Sequence, residues 1–531
     1  MDILLDLNVV LDLLLQREFY DIAEKVYKLS RKNNFKLWMC ASSVDNFYYS
    51  IHKEAKRLAL EKGKEYSKEN VDKILKKFIE KINLFVPDPL VVKKAVFDEK
   101  IKDIEDFIIY ENFKRIAPEG VIVTRDKHFL DNYDNTYSPW DFVQKFQNFL
   151  NKPRSIPILN LQEEYKHIIE EIDSALLKVV SKAKYILGPE VSELEQKIAS
   201  YIGTKHAIGV SSGTDALALS LRALAIKNKA QEYWDKEDLI ITTPFTFTAT
   251  GDAILRAGAT SLFVDIDPDT FNIDPEQVKL AIEKYGNNVV GVISVHLYGQ
   301  PANMDEIIKI AKENNLFVVE DCAQSFGAKW DGRLTGSFGD TGCFSFFPSK
   351  NLGGFGDGGM ITTDGDELAE IIRMLRKHGG KDKYNVDHIG YNARLDTLQA
   401  AILLAKMKYI DEFNNRRRKI ASLYDEYLKE IVWVKTPQAH KKAYHVYHQY
   451  TIRLPNKKRD DVQKKLEEKG IQTMIYYPIS LHKMKVFKNR CECLGDLKNT
   501  TEATEQVLSL PIEPVYKEEI YRKVVEEIKN F

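Results

Sequence analysis

Residues 343–359 decide the fold of this protein and read CFSFFPSKNLGGFGDGG. An aromatic, strand-like run ends at Phe347 and a glycine-rich loop begins at Gly353, so Lys350 lies between a buried strand and a loop. Partial burial at such a place depresses the pKa of a lysine and frees its amine. A lysine beside glycines is more often a solvated loop residue, so the interpretation depends on what surrounds this stretch.

A second segment, residues 210–217, follows an apolar run, reads VSSGTDAL and opens a helix. The backbone amides of Gly213, Thr214 and Asp215 would face an anion at the positive end of the helix dipole. A phosphate suits that place. Taken alone, Ser-Gly-Thr before a helix is more often only an N-cap.

A third segment, residues 316–324, reads LFVVEDCAQ and predicts a buried strand that delivers Glu320, Asp321 and Gln324 at its C-terminal end. A pyridoxal phosphate (PLP) enzyme needs an imine-forming lysine, a carboxylate that keeps the pyridine nitrogen protonated, and hydroxyl and N–H groups for the phosphate. A strand-end Asp is usually structural by itself. The three segments together, in this order, favour a PLP site that contains Lys350.

Length and composition limit the class of protein. At 531 residues the chain predicts two or three domains, and 44% hydrophobic with 29% charged residues is typical of a soluble globular protein. A net charge of -1 gives no overall attraction to polyanions. Five scattered cysteines without a secretory leader or membrane span predict a cytoplasmic protein with free thiols. They are Cys40, Cys322, Cys343, Cys491 and Cys493, the last two being expected in a surface loop rather than in a metal site.

The chain divides where the composition changes. Residues 1–148 predict a small α/β domain, with buried strands at 2–10 and 120–124 and helices at 20–29 and 71–82. The polar, proline-bearing residues 149–156 are typical of a linker. No repeat or low-complexity tract suggests a solenoid.

The rest of the chain predicts two further parts. In residues 157–400, short β-type runs alternate with helices, which predicts a doubly wound parallel α/β sheet that binds its ligand at the strand C-termini. Residues 401–531 predict a smaller α+β subdomain. The expected strands of the larger part are residues 207–210, 239–242, 261–265, 289–295 and 316–320.

From Ile156 onward the chain resembles the DegT/DnrJ/StrS family of sugar aminotransferases along nearly its whole length. The motifs that carry the resemblance, besides the three above, are YILGPEV (185–191), TPFTFTAT (243–250), VHLYGQP (295–301), GYNARLDTLQAA (390–401) and LSLPI (508–512). The resemblance implies a fold-type I PLP-dependent transferase that works as a homodimer.

The resemblance also implies residue roles. Lys350 would carry the cofactor and act as general base, and Asp321 would pair with the pyridine nitrogen. The other implied cofactor residues are Gly213, Thr214 and Ser345 at the phosphate, Gln324 and Phe247 at the ring, and the partner subunit's Asn392. The implied substrate-binding residues are Arg394, His296, Tyr476 and Tyr477.

The implied reaction moves an amino group from an amino acid, by family likeness glutamate, to a nucleotide-linked keto-sugar. Such enzymes serve amino-sugar and surface polysaccharide biosynthesis. Some families of this type carry histidine instead of the lysine and dehydrate sugars, so Lys350 favours transamination. A 3-keto sugar, including a 3-keto uronate, is favoured over a 4-keto sugar.

The first 145 residues resemble a PIN-domain nuclease in the segments LDLNVV (5–10), DIEDF (103–107) and VTRDKHF (123–129). Carboxylates gathered at one sheet edge bind Mg²⁺ or Mn²⁺ and can activate water against RNA. The resemblance implies Asp6, Asp45, Asp106 and Asp126 as metal ligands. Two alternatives stay open: these carboxylates only cap helices and strands, or the protein is a ribonuclease whose larger part serves dimerisation or regulation.

Overall fold

The computed structural model of the protein describes most of the chain, in two compact units, Met1–Arg154 and Ser155–Phe531. No described helix is both long and apolar enough to cross a membrane. The described residues are 2–6, 9–10, 20–32, 36–40, 48, 50–53, 55–57, 67–79, 82–85, 104–151, 156–382, 384–455 and 458–531.

The described residues of the smaller unit form a parallel five-stranded sheet with helices, as its alternating pattern predicts. Its strands run in the order β3-β2-β1-β4-β5, and every neighbouring pair is parallel. The strands are β1 (Asp2–Leu5), β2 (Lys36–Cys40), β3 (Asn83–Phe85), β4 (Val121–Val123) and β5 (Thr136–Tyr137). The helices are α1 (Tyr20–Lys32), α2 (Lys68–Ile79), α3 (Ile104–Ile116), α4 (Lys127–Asn132) and α5 (Pro139–Asn151).

One sequence prediction was wrong in this unit. The expected strand over residues 2–10 ends at Leu5, and Val9 and Val10 are helical, with both their N–H groups directed at the carbonyl oxygen of Asp6. A short apolar run is compatible with a buried strand and with a buried helix alike, so periodicity could not locate the change.

The larger unit begins with three helices and continues as alternating strands and helices. Its helices are α6 (Leu161–His167), α7 (Ile169–Lys182), α8 (Pro189–Ile202), α9 (Gly213–Lys229), α10 (Thr248–Arg256), α11 (Pro275–Tyr285), α12 (Met304–Glu313), α13 (Asp366–Leu375), α14 (Thr397–Lys406), α15 (Ile410–Leu428), α16 (Arg459–Glu468), α17 (Lys498–Gln506) and α18 (Glu518–Lys529). Its strands are β6 (His206–Val210), β7 (Leu239–Thr242), β8 (Thr260–Phe263), β9 (Val289–Val295), β10 (Phe317–Asp321), β11 (Lys329–Trp330), β12 (Arg333–Leu334), β13 (Thr341–Ser345), β14 (Gly359–Thr363), β15 (Ala443–Tyr444), β16 (Tyr450–Arg453), β17 (Cys491–Cys493) and β18 (Val507–Leu510).

The main sheet has eight strands in the order β17-β8-β7-β9-β10-β13-β14-β6. It is not parallel throughout, because β14 pairs antiparallel with both β13 and β6. The segment between β13 and β14 is the lysine-bearing loop rather than a crossover helix, so the chain returns in the opposite direction. Strands β7, β9, β10 and β13 are parallel to one another, so their C-terminal ends lie at the same edge of the sheet.

The central part of helix α9 is buried against this sheet. Residues 216–225 are all buried, and four of them are alanines, which let the helix approach β13 and β14 closely. Ser212 caps the helix by accepting the N–H of Asp215 at 3.0 Å. Packing thus holds the N-terminus of α9 at the edge where the strands end.

Two short segments lie elsewhere than their sequence position suggests. Ile156, at the end of the predicted linker, is buried and exchanges backbone hydrogen bonds with Gly470 and Gln472 of the C-terminal subdomain. Residues 491–493 are not a surface loop but β17, which pairs parallel with β8 at the edge of the main sheet. Both pairings join residues far apart in sequence, which periodicity does not reveal.

Candidate active site

Asp321 ends β10 and is almost completely buried. Its Oδ2 accepts the hydroxyl of Thr250 at 2.7 Å, and its Oδ1 accepts the N–H of Ala323 at 3.2 Å. Burial raises the pKa of Asp321, while these hydrogen bonds and the charge of Lys350 oppose that rise. The carboxylate is thus held by two donors, and the charge of Lys350 acts on it.

Lys350 lies in the loop after β13, where its N–H donates to the carbonyl oxygen of Phe347 at 2.8 Å. Burial lowers the pKa of Lys350 to about 8, and the charge of Asp321 acts in the opposite direction. Lys350 therefore loses its proton at a lower pH than an ordinary lysine, as an imine-forming lysine requires.

Glu320 points to the other side of β10 because side chains alternate along a strand. Its carboxylate is fully buried and accepts the N–H groups of Gly336, Phe338 and Gly339 at 2.8, 2.6 and 2.9 Å. Glu320 therefore holds the turn before β13 and leaves Asp321 as the carboxylate at the site.

His296 does not fit the expected contact with a substrate. It is fully buried, its Nδ1 accepts the N–H of Ala302 at 3.0 Å, and its Nε2 lies 3.0 Å from Oε2 of Glu320. Both ring nitrogens are thus in use inside the protein. Nε2 must carry the proton that it donates to Glu320, so it is also no metal ligand, although Cys322 lies close to both groups.

The N-terminus of α9 meets β13 in a narrow corner. A Cβ atom on Gly213 would lie 2.7 Å from Cβ of Ser345, so only glycine fits at this first helical position. The corner brings together Gly213 and Ser345 from segments more than 100 residues apart, with Thr214 next along the helix. The amides of a first helical turn have no acceptor inside the helix and can bind an anion there.

Gln324, three residues beyond Asp321, connects two tyrosines of different segments. Oε1 of Gln324 accepts the N–H of Tyr298 at 2.6 Å, and its Nε2 donates to the hydroxyl of Tyr477 at 3.1 Å. Phe247 is 56% exposed, with its ring centroid 6.2 Å from that of Tyr477. The adjacent Tyr476 accepts the hydroxyl of Tyr298 at its carbonyl oxygen. Phe247 therefore presents an open aromatic face.

Asn392 and Arg394 line a cavity of about 540 Å³ together with Ser211, which precedes the α9 corner. The backbone of Arg394 pairs with Val210 at the end of β6. The two predicted residues thus lie beside Ser211, in a cavity also lined by Asp357 and Asp396.

Sequence reasoning missed three residues of this site. Thr250 lies within the quoted TPFTFTAT motif but gives no sign that its hydroxyl reaches Asp321. Asn351 follows the lysine directly, and its Oδ1 lies 3.0 Å from Nδ1 of His448. His448 lies about 100 residues after Asn351, in a stretch without any motif. Only the tertiary structure therefore brings the two side chains together.

In the smaller unit the structure connects two of the four predicted metal ligands. The hydroxyl of Thr124 donates to Oδ2 of Asp6 at 3.0 Å and accepts the N–H of Asp126 at 2.9 Å. Asp45 lies outside the described residues. Asp106 belongs to α3, but its side chain lies outside the described part.

Comparison with known proteins covers both units. Residues 166–529 match the DegT/DnrJ/EryC1/StrS aminotransferase family, and residues 2–128 match a PIN domain. A pleiotropic regulatory protein from Geobacillus stearothermophilus is 46% identical over 71% of this chain and 98% of its own. The chain belongs to the DegT/DnrJ/EryC1/StrS aminotransferase family.

Two further family relatives inform the chemistry. The UDP-N-acetyl-3-dehydro-alpha-D-glucosamine 3-aminotransferase from Acidithiobacillus ferrooxidans is 40% identical over 71% of this chain and 98% of its own. The structure of NtdA from Bacillus subtilis, with bound cofactor PMP, is 28% identical with a TM-score of 0.64 and covers 86% of this chain and 95% of its own. Family membership favours an aminotransferase over a dimerisation module in the larger unit.

The residues of this family member fit pyridoxal phosphate. The site offers an amine of lowered pKa at Lys350, a buried carboxylate at Asp321, and an anion-binding corner at Gly213 and Ser345. The exposed ring of Phe247 adds an aromatic face. These groups match, one for one, the aldehyde, the pyridine nitrogen, the phosphate and the ring of the cofactor.

Proposed function

We propose that this protein transfers an amino group from an amino acid, glutamate, to a nucleotide-linked keto-sugar, using PLP. The observation that carries the proposal is the pair of Lys350, an amine with a pKa of about 8, and Asp321, a buried carboxylate whose charge acts on it. PLP, when bound, stabilises negative charge at the carbon that loses a proton, so that the amino group can move between carbons.

In this proposal the side chains divide the work. Lys350 holds the cofactor and moves the proton, Asp321 keeps the pyridine nitrogen protonated, and Gly213, Thr214 and Ser345 bind the phosphate. Phe247 and Gln324 confine the ring. Tyr476, Tyr477 and Arg394 bind substrate. The partner subunit's Asn392 completes the phosphate site, so the active protein is a homodimer. We place this activity in the cytoplasm.

The favoured acceptor is a 3-keto sugar linked to a nucleotide. Support comes from the Acidithiobacillus relative, which is named for a 3-dehydro sugar nucleotide. The exposed aromatic face of Phe247 and the half-buried Tyr476 can pack against a sugar ring. Product of this type would enter amino-sugar and polysaccharide synthesis.

A substrate screen tests the proposal. The purified protein with PLP is incubated with UDP- or dTDP-linked 3-keto and 4-keto sugars and with glutamate, glutamine or aspartate. We expect an amino-sugar nucleotide and 2-oxoglutarate in equal amounts, with the 3-keto sugars reacting fastest. A visible absorbance that does not change on adding any amino acid, together with no amino-sugar, would contradict it.

A second candidate function belongs to the PIN domain. Thr124 connects the carboxylate of Asp6 with the backbone N–H of Asp126. In this proposal the carboxylates of Asp6 and Asp126, together with Asp45 and Asp106, would hold Mg²⁺ or Mn²⁺. We propose metal-dependent cleavage of single-stranded RNA. The full-length Asp6→Asn, Asp126→Asn double variant should lose Mn²⁺-dependent cleavage and keep transamination; equal cleavage by both proteins would refute the nuclease.

A further inference from the structure

The glycine-rich loop, residues 353–358, follows Lys350 and is anchored to the end of β13 by two backbone hydrogen bonds. The N–H of Gly354 donates to the carbonyl oxygen of Phe346 at 2.8 Å, and the N–H of Phe346 donates to the carbonyl oxygen of Gly358 at 2.8 Å. Phe346 directly follows β13. Because Lys350 lies between Phe346 and Gly354, the path of this loop decides where the backbone of Lys350 is held.

A side chain from another element holds the middle of the loop. Oε1 of Gln399, in the first turn of α14, accepts the N–H of Phe355 at 2.8 Å. A Cβ atom on Gly354 would lie 2.7 Å from the same Oε1, and a Cβ atom on Gly356 would lie 3.0 Å from Nε2. The glycines on both sides of Phe355 therefore leave the space in which the Gln399 amide crosses the loop.

The ring of Phe355 is held by the same helix and by α6. Lys406 lies two turns after Gln399 on α14, and its Nζ is 5.9 Å from the centroid of the Phe355 ring. This Nζ is buried and lies 2.5 Å from Oε1 of Glu164 in α6. The ring of Tyr165, the next residue of α6, meets the Phe355 ring edge-on with centroids 5.8 Å apart. Helices α6 and α14 therefore both contact Phe355.

The far end of the loop meets the corner to which we assign the phosphate. A Cβ atom on Gly359 would lie 2.4 Å from the carbonyl oxygen of Ser212 and 2.9 Å from the backbone nitrogen of Gly213. The loop is thus held at its base, at this corner, and by Gln399 between them. Loss of the Gln399 bond would therefore loosen both the segment that carries Lys350 and the corner.

We propose that Gln399 is a positioning residue whose Oε1 fixes the glycine-rich loop, so that Lys350 and the phosphate corner keep the spacing that PLP requires. The inference rests on the proposed function for the part that concerns PLP. The hydrogen bond to Phe355 belongs to the cofactor-free protein and can be measured there without any sugar substrate. In this role Gln399 acts through the backbone of Phe355.

Two substitutions of Gln399 test the proposal in the full-length protein. Gln399→Met removes the acceptor at nearly constant side-chain size, whereas Gln399→Glu keeps an acceptor oxygen. In cofactor-free Gln399→Met, hydrogen–deuterium exchange in the peptide that contains Phe355 should be about threefold to tenfold faster, which corresponds to the loss of one neutral hydrogen bond. An absorbance titration should show the PLP dissociation constant rising by a similar factor. Gln399→Glu should restore both values towards wild type.

Gly354→Ala breaks the same bond independently. Its new Cβ would lie 2.7 Å from Oε1 of Gln399, and this flexible side chain can turn away from it. Gly354→Ala should therefore weaken PLP binding as Gln399→Met does, and the double variant should bind PLP no more weakly than Gln399→Met alone. Losses that add in the double variant would overturn the proposal, because the two residues would then act separately.

The matched control is Gln463 on α16, whose Nε2 donates to the carbonyl oxygen of Thr473 at 3.2 Å within the C-terminal subdomain. Gln463→Met should leave both the PLP affinity and the exchange at Phe355 unchanged. In protein saturated with PLP, Gln399→Met should lower kcat roughly fivefold with little change in KM for the sugar nucleotide, because the loop positions Lys350 and not the sugar.

Two further results would overturn the proposal: unchanged exchange at Phe355 in folded Gln399→Met, and faster exchange together with wild-type PLP affinity. If Gln399→Met does not fold, Gly354→Ala decides, and wild-type PLP affinity in that variant overturns the proposal. A failed substrate screen with weakened PLP binding in Gln399→Met would remove the proposed reaction and leave the role of Gln399 standing.

Discussion

The hydroxyl of Thr250 donates to Oδ2 of Asp321 over 2.7 Å, and both side chains are buried. Thr250 belongs to the first turn of α10, whereas Asp321 ends β10, so the packing of this helix against the sheet places a neutral donor on the carboxylate. The bond opposes the effect of burial on the pKa of Asp321. The bond therefore favours the ionised carboxylate, the form that can pair with a protonated pyridine nitrogen.

Replacing Thr250 by valine should weaken this site without disturbing the fold. A hydrogen bond to a charged group contributes about 1.5–3 kcal/mol, so we expect the pKa of Asp321 to rise and kcat to fall roughly tenfold to a hundredfold. Steady-state kinetics with the best donor measures the change. Thr242→Val is the control, since this buried hydroxyl donates to Ile293 and not to Asp321; equal kinetic losses in the two variants would contradict the assignment.

Lys350→Ala should abolish transamination, because it removes the amine that holds the cofactor and moves the proton in the proposed reaction. The visible absorbance of bound PLP, and its shift on adding glutamate, should also be lost in this variant. Lys381→Ala, at an exposed lysine paired with Glu370, should retain both properties. An active Lys350→Ala protein would remove the basis of the proposed function.

The reactivity of Lys350 should depend on pH in a way that distinguishes it from surface lysines. Its pKa of about 8 lies below the usual value, so its neutral form grows between pH 7 and 9. Lys381, whose pKa is raised by Glu370, should begin to react only at higher pH. In cofactor-free protein, acetylation at pH 8 should therefore favour Lys350 over Lys381; equal labelling would argue against burial of the amine.

Gly213→Ala should lower the affinity for PLP by at least roughly tenfold. The new Cβ would lie 2.7 Å from Cβ of Ser345, so α9 and β13 would have to move apart where we propose that the phosphate binds. An absorbance titration of cofactor-free protein with PLP gives the dissociation constant. Gly365→Ala is the matched control, because a Cβ there makes only ordinary contacts at 3.4 Å and beyond. Unchanged PLP affinity in Gly213→Ala would place the phosphate elsewhere.

Much of the architecture could be predicted because it is local. The strands at residues 239–242 and 289–295 have the bounds that their apolar runs predict, and those at 206–210 and 317–321 differ by a residue. Long, specific motifs around Lys350 and Asp321 carried the family resemblance, which the family match confirmed. The antiparallel β14 was missed because strand direction depends on the route of the connecting loop.

The sequence by itself determined which residues can perform the chemistry: the amine of Lys350, the carboxylate of Asp321 and the glycine at position 213 follow from residue type and neighbours. Only the tertiary structure decided which hydrogen-bond partners these groups have. Thr250 reaches Asp321, and His448 stands beside Asn351, across 71 and 97 positions of sequence. The same packing buries His296 in the interior, away from the expected contact with substrate. Hydrogen bonds act over about 3 Å of space regardless of sequence separation, so folding alone selects these partners.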